Sequence, residues 1–116
     1  MMSNVEFALT SNAEAIKAAT DEAIITALKA VGAQAQGHAT AEITAVGAVD
    51  TGRLRDSIEF DVEDKTLYVG TNVEYAPYVE FGTVKMTARP YLRPAIEKNL
   101  SEYQQIFEQE LSKIGN

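Results

Sequence analysis

Ile58-Glu59-Phe60-Asp61-Val62-Glu63-Asp64-Lys65-Thr66-Leu67-Tyr68-Val69-Gly70-Thr71 decides the fold. Ile58, Phe60 and Val62 alternate with Glu59, Asp61 and Glu63, and Leu67 and Val69 alternate with Thr66, Tyr68 and Gly70. A period of two marks a strand with one buried face, and Glu63-Asp64-Lys65-Thr66 between the two runs joins them as a hairpin. One face of this hairpin is apolar and the other acidic. The acids are expected to be solvated and to discourage edge-to-edge pairing. Carboxylates that hydrolyse glycosides need one partner in an apolar pocket to raise its pKa, which the polar face of a strand does not offer.

Upstream, Val5, Phe7 and Leu9 alternate with Glu6 and Ala8 and predict a further short strand. Ser11 and Glu14 form a capping-box pattern that opens a helix running from Asn12 to about Val46. Ile16, Ile24, Leu28, Val31, Ala35, Ala39, Ile43 and Val46 make one helical stripe along it. Gly32 and Gly37 interrupt the stripe, each at about 1 kcal/mol relative to Ala, which leaves room for a break or a bend near them. His38 lies near the stripe and is read as helix-packed or exposed, without the partners a ligand or acid–base role requires. Gly47 ends the helix, and Asp50 can cap a short turn through Thr51-Gly52-Arg53-Leu54-Arg55. Two readings of Arg53 and Arg55 stand. They are solvated side chains on a capped turn, or their guanidinium forks contact a carboxylate-bearing partner.

Downstream, Tyr75 to Pro94 holds three of the five tyrosines and all three prolines. It is too proline-rich for a plain strand and too apolar for a free linker. Its rings are expected to dock on the chain's own helices or on another subunit. Tyr75 to Phe81 reads as a short helical turn, with Pro77 near its start, Gly82 as its stop, and Val79 and Phe81 in the core. Glu80 is expected to pair with an arginine. Thr83 to Arg89 reads as a loop of hairpin type, and Pro94 fits the first turn of a last helix. Ala95 or Ile96, Leu100, Tyr103, Phe107, Leu111 and Ile114 give that helix its apolar stripe. The sum is an α+β class: a small, mostly antiparallel sheet packed against two long helices, in one domain spanning residues 1–116.

Formal charge is −7. Residues 1–49 carry two Lys against five acids, residues 50–94 six basic groups against eight, and residues 95–116 two against four. No segment is basic, which argues against a nucleic-acid footprint. Without cysteine there is no disulfide, thiolate metal site or thiol nucleophile, and one histidine cannot build a histidine metal site. No run approaches the roughly 20 apolar residues of a membrane span, and the start lacks a signal-peptide pattern, so the chain is read as cytoplasmic where it is made. No phosphate loop or nucleophile motif is present, so no catalytic, cofactor or metal site is expected.

Four pieces then fall into a recognisable order. They are Asp50-Thr51-Gly52-Arg53-Leu54-Arg55-Asp56-Ser57-Ile58, Tyr68-Val69-Gly70-Thr71, Tyr75-Ala76-Pro77-Tyr78-Val79-Glu80-Phe81-Gly82-Thr83 and Ala88-Arg89-Pro90-Tyr91-Leu92-Arg93-Pro94-Ala95. Together they resemble the gene-product-ten-like family of tailed bacteriophages and prophages, small head–tail joining or tail-completion proteins. The resemblance implies a structural virion protein, not an enzyme and needing no cofactor. It would sit between capsid connector and tail tube and touch other neck and tail proteins. Self-association into a ring of six, and a location in the virion after assembly in the host cytoplasm, are also implied. It also raises the interface reading of Arg53, Arg55 and the Tyr75–Thr83 segment with Tyr75, Tyr78 and Glu80, while Lys85, Arg89 and Arg93 join Arg53 and Arg55 by charge alone as a basic candidate patch. The alternative is a small regulatory or nucleic-acid-associated protein of a mobile element, against which the acidic charge counts.

Overall fold

The structure, a computed structural model, describes residues 5–10, 20–47 and 51–114. Strand β1 spans Val5–Thr10 and helix α1 Asp21–Val46. A short helix α2, Thr51–Asp56, leads into strands β2, Glu59–Glu63, and β3, Thr66–Thr71. Helices α3, Ala76–Phe81, α4, Leu92–Glu97, and α5, Leu100–Ile114, complete the order. The three strands form an antiparallel sheet in the order β1-β3-β2, so the expected α+β class holds. The Ser11–Glu14 capping box, Ile16 and Asp50 lie outside the described residues.

Phe60 pairs with Val69 and Val62 with Leu67, while Asp61 pairs with Tyr68 across the outer face. Glu63 faces Thr66, leaving Asp64 and Lys65 as a two-residue turn with φ of 50° and 59°. Left-handed backbone at both positions is the type I′ geometry whose twist matches a hairpin, reached here without glycine. Lys65 also reaches Asp21 at 2.9 Å.

Thr20 opens α1, its hydroxyl accepting from the Ala23 amide at 3.1 Å, and Gly47 closes it in the left-handed region at φ 63°. Ile24, Leu28, Val31, Ala35, Ala39 and Ile43 are buried along one side, as the spacing predicts. Gly32 and Gly37 do not break the helix: α1 is continuous through both. Gly32 is there for close approach: a Cβ at this position would lie 2.5 Å from Phe60 Cδ2 and 2.9 Å from Leu67 Cδ1. The helix crosses the sheet at that point with nothing between backbone and ring.

Two motif pieces meet on the inner side of the sheet. Thr71 Oγ1 and Ser57 Oγ are 2.6 Å apart, Ser57 donates to Leu54 O at 2.6 Å, and Thr71 Oγ1 accepts the Val73 amide at 3.1 Å. This hydroxyl chain satisfies buried groups and ties α2 to β3.

The expected last helix is divided at Lys98–Asn99. The reason is competition for Ala95 O, which accepts Tyr103 OH at 2.6 Å and Asn99 Nδ2 at 2.9 Å, so the Asn99 amide turns to Ile96 O at 3.3 Å. Leu100, expected in the core, is therefore about half exposed just after the break, while Tyr103 and Phe107 are buried as predicted. Helix α5 packs on α1, where His38 Nδ1 meets Tyr103 OH at 2.8 Å and Nε2 lies 3.2 Å from the enclosed Glu102 Oε2. Burial first, and then the Glu102 charge, raise the Tyr103 hydroxyl to a pKa of about 12.

Candidate interface

The Tyr75–Pro94 stretch forms a projecting turn held at both of its ends. Helix α3 begins where the Ala76 amide donates to Val73 O at 3.1 Å, and Pro77 sits in its first turn. It ends at Gly82, whose amide donates to Tyr78 O at 2.8 Å. Gly82 has φ 77°, and a Cβ there would lie 2.8 Å from the Ala88 amide nitrogen and 2.9 Å from Met86 O. Both the backbone conformation and the space demand glycine. Thr83 and Met86 then exchange backbone hydrogen bonds of 2.8 and 3.3 Å, so Val84 and Lys85 form the tip. The base closes where the Arg89 amide donates to Val79 O at 2.7 Å.

Glu80 fastens the far end. Its Oε1 accepts the Tyr91 and Leu92 amides at 3.2 and 2.9 Å, and its Oε2 accepts the Arg93 amide at 3.1 Å. Three first-turn donors of α4 are thereby satisfied, and the next residue, Pro94, has none to satisfy. Glu80 is only 3% exposed, so its carboxylate faces these amides and not the arginine expected from sequence, nor a surface another subunit could touch. Tyr91 is fully buried beside it, its hydroxyl donating to Ala76 O at 3.4 Å. Burial and the neighbouring Glu80 charge push that hydroxyl well above the usual tyrosine range.

The helical period of α3 decides what faces outward. Ala76, Val79 and Glu80 point in, which turns Tyr78 and Phe81 out. Phe81 was expected in the core and is 59% exposed, because the inward position next to Val79 belongs to the carboxylate that caps α4. Tyr78 is exposed to a similar degree, Val84 is fully exposed and Met86 is partly so. This exposed apolar series is bordered by Lys85, Arg89 and Arg93, the only charged residues of the stretch apart from the buried Glu80.

The basic residues are not equivalent. Arg53 makes a two-pronged contact to Glu74 at 3.0 and 2.9 Å, and its guanidinium carbon lies 5.5 Å from the centre of the half-buried Tyr75 ring. The same contact holds the exposed Glu74 carboxyl below the usual range. Arg55 lies loosely by Asp56 at 3.9 Å, and Arg93 by Glu97 at 3.9 Å. Arg89 Nη1 donates to Gly47 O at 3.2 Å, supplying a cation to the C-terminal end of α1, whose own last turn has no basic residue. Lys85 has no carboxylate partner among the described residues. Sequence reasoning missed Phe81, Val84 and Met86 as surface groups, and a helical count from Ala76 would have placed Phe81 outward.

Among the described residues no group of three or more His, Cys, Asp or Glu side chains could hold a metal ion. No helix among them is long and apolar enough to cross a membrane. What stands out is an ordered surface of rings, aliphatic side chains and cations.

Residues 7–82 match a family of structural proteins from bacteriophage tails. The family is the one described as "Bacteriophage HK97-gp10, putative tail-component", and the match covers more than half of the chain, which therefore belongs to it. The match takes in Ser57, Thr71, Glu80 and Gly82, and ends before the Ala88–Ala95 piece. Neither the curated proteins nor the solved structures contain a match to the chain.

Proposed function

We propose that this protein completes or joins the tail at the head–tail interface of a tailed phage or prophage, acting through protein–protein contacts. The observation that carries the reading is the turn after α3. Gly82 and Glu80 hold it in one shape, and it presents Tyr78, Phe81, Val84 and Met86 to solvent. An apolar surface of fixed shape suits docking, since little freedom is lost when it binds. The partners are other neck and tail proteins, namely the connector or stopper and the tail tube. Several copies form a ring in the particle, six if it follows the tail symmetry, with one patch of each copy against a different patch of the next. Arg53, Arg55, Tyr75, Tyr78, Lys85, Arg89 and Arg93 contribute to these contacts, and Glu80 contributes by holding the turn. Assembly takes place in the host cytoplasm and the product resides in the virion; the whole chain acts as one domain without catalysis.

Deletion from the phage, followed by electron microscopy, tests the role. The expected outcome is filled heads and separate tails. Infectious particles at normal titre from a clean deletion refute it.

A further inference from the structure

Among the described residues, two sets of charge without an ion-pair partner do not meet. Lys85 at the tip of the Thr83–Met86 turn is one. The other is the row Glu59, Asp61 and Glu63 on the outer face of β2, an edge strand. Among the described residues none of these four side chains has an ion-pair partner, whereas the nearby Lys65 is held by Asp21. Alternate residues of a strand stand about 6.6 Å apart on one face, so the three carboxylates form a line along the sheet edge. Tyr68 lies directly across from Asp61 and is half-buried, giving that acidic face an aromatic element. The tip has the complementary order, a fully exposed Val84 beside a free ammonium group.

We propose that the Thr83–Met86 turn of one copy docks on the outer face of the β2–β3 hairpin of a second copy. Val84 lies against Tyr68, and Lys85 lies among Glu59, Asp61 and Glu63. The proposal rests on the ring reading above and names the two surfaces that meet. The contact is heterologous, leaving each copy with one free turn and one free hairpin face, so it propagates until it closes. Desolvation of Val84 and the Tyr68 ring gives it affinity, and the charges set its register. The free chain's charge of −7 opposes association, so the contact strengthens when moderate salt screens that long-range repulsion and weakens again in high salt.

The native chain has no cysteine, which makes the test direct. Val84→Cys and Asp61→Cys proteins are mixed, oxidised at high protein concentration, and compared with the same pair assembled in particles. The expected product is the mixed 84–61 disulfide, in excess over 84–84 and 61–61. Lys85→Glu is expected to weaken self-association roughly tenfold, and a second protein carrying Asp61→Lys restores it. Both variants should melt like the native chain, since neither residue has an ion-pair partner among the described residues. Equal yields of the three disulfides, failure of the charge swap to restore association, or capture of position 84 only by a different tail protein overturns the proposal. If the mixed disulfide forms while deletion phage still join heads to tails, the contact stands and the joining role falls. If deletion separates heads from tails and no mixed disulfide forms, the joining role stands and the contact falls.

Discussion

Gly32 and Gly37 sit five residues apart in one continuous helix, and replacing each with alanine should move stability in opposite directions. On helix propensity alone each change stabilises by about 1 kcal/mol, because alanine loses less backbone freedom. Nothing lies within 4 Å of where a Cβ would stand at Gly37, so Gly37→Ala realises that gain. At Gly32 the Cβ would be 2.5 and 2.8 Å from Phe60 Cδ2 and Cγ. The ring cannot swing its root atom away as a long side chain swings its tip, so either Phe60 or the helix must shift. Overpacking of this kind costs about 1–3 kcal/mol, which exceeds the propensity gain and leaves a net loss of about 1 kcal/mol. For a chain of this size that corresponds to a fall in Tm of about 4 °C, against a rise of similar size for Gly37→Ala. Differential scanning calorimetry on the two variants measures both. Placing Gly32→Ala in a Phe60→Ala background removes the two shortest contacts and leaves only Leu67 Cδ1 at 2.9 Å, the tip of a side chain that can give way, so the penalty should shrink markedly. If Gly32→Ala raises Tm as much as Gly37→Ala, or if its penalty is undiminished without the Phe60 ring, the close approach to that ring is not what holds glycine at 32.

Glu80→Ala leaves three amide donors of α4 without acceptors and should cost roughly 3 kcal/mol in urea unfolding, with Glu80→Gln recovering part of that through one acceptor oxygen. Phe81→Ala should change stability by less than about 1 kcal/mol, since the ring is mostly in solvent. It should nevertheless reduce incorporation into particles, and a melt paired with a particle pull-down separates the two effects. Alkaline titration should expose Tyr103. Its folded pKa is raised to about 12, so the stabilisation is complete below the unfolded value near 10 and is lost as pH rises from there toward 12. Tyr103→Phe, which has no proton to lose, should flatten part of that decline in urea midpoints measured across the range.

The regular elements were legible because each shows enough residues to display a period. The alternation from Ile58 to Val69 fixed both strands of the hairpin and their inward faces, and the stripe from Ile24 to Ile43 fixed the buried side of α1. The stretch after Tyr75 was harder for a physical reason. Val79-Glu80-Phe81 is compatible with a period of two, and six residues of helix give too little pattern to prefer 3.6. A glutamate between two apolar residues also looks solvent-facing, since a buried carboxylate requires donors that lie eleven to thirteen residues away in the chain. The break at Lys98–Asn99 depends on one carbonyl being claimed by two side chains, which no local pattern announces. Of the candidate interface, the exposed cations and Tyr78 follow from chemistry read along the chain. Phe81, Val84 and Met86 needed the geometry.

Arg89 has a mechanical meaning as well as a chemical one. Its bond to Gly47 O ties the base of the turn to the end of a helix that, at 26 residues, is about 39 Å long. Glu80 ties the other side of the same base to α4. Traction on residue 84 is thus divided between two fastenings that lead into separate helices. Freeing the base of the turn requires the loss of both fastenings, the Arg89 bond and the Glu80 bonds. The exposed tip is in this way braced by the longest helix of the fold.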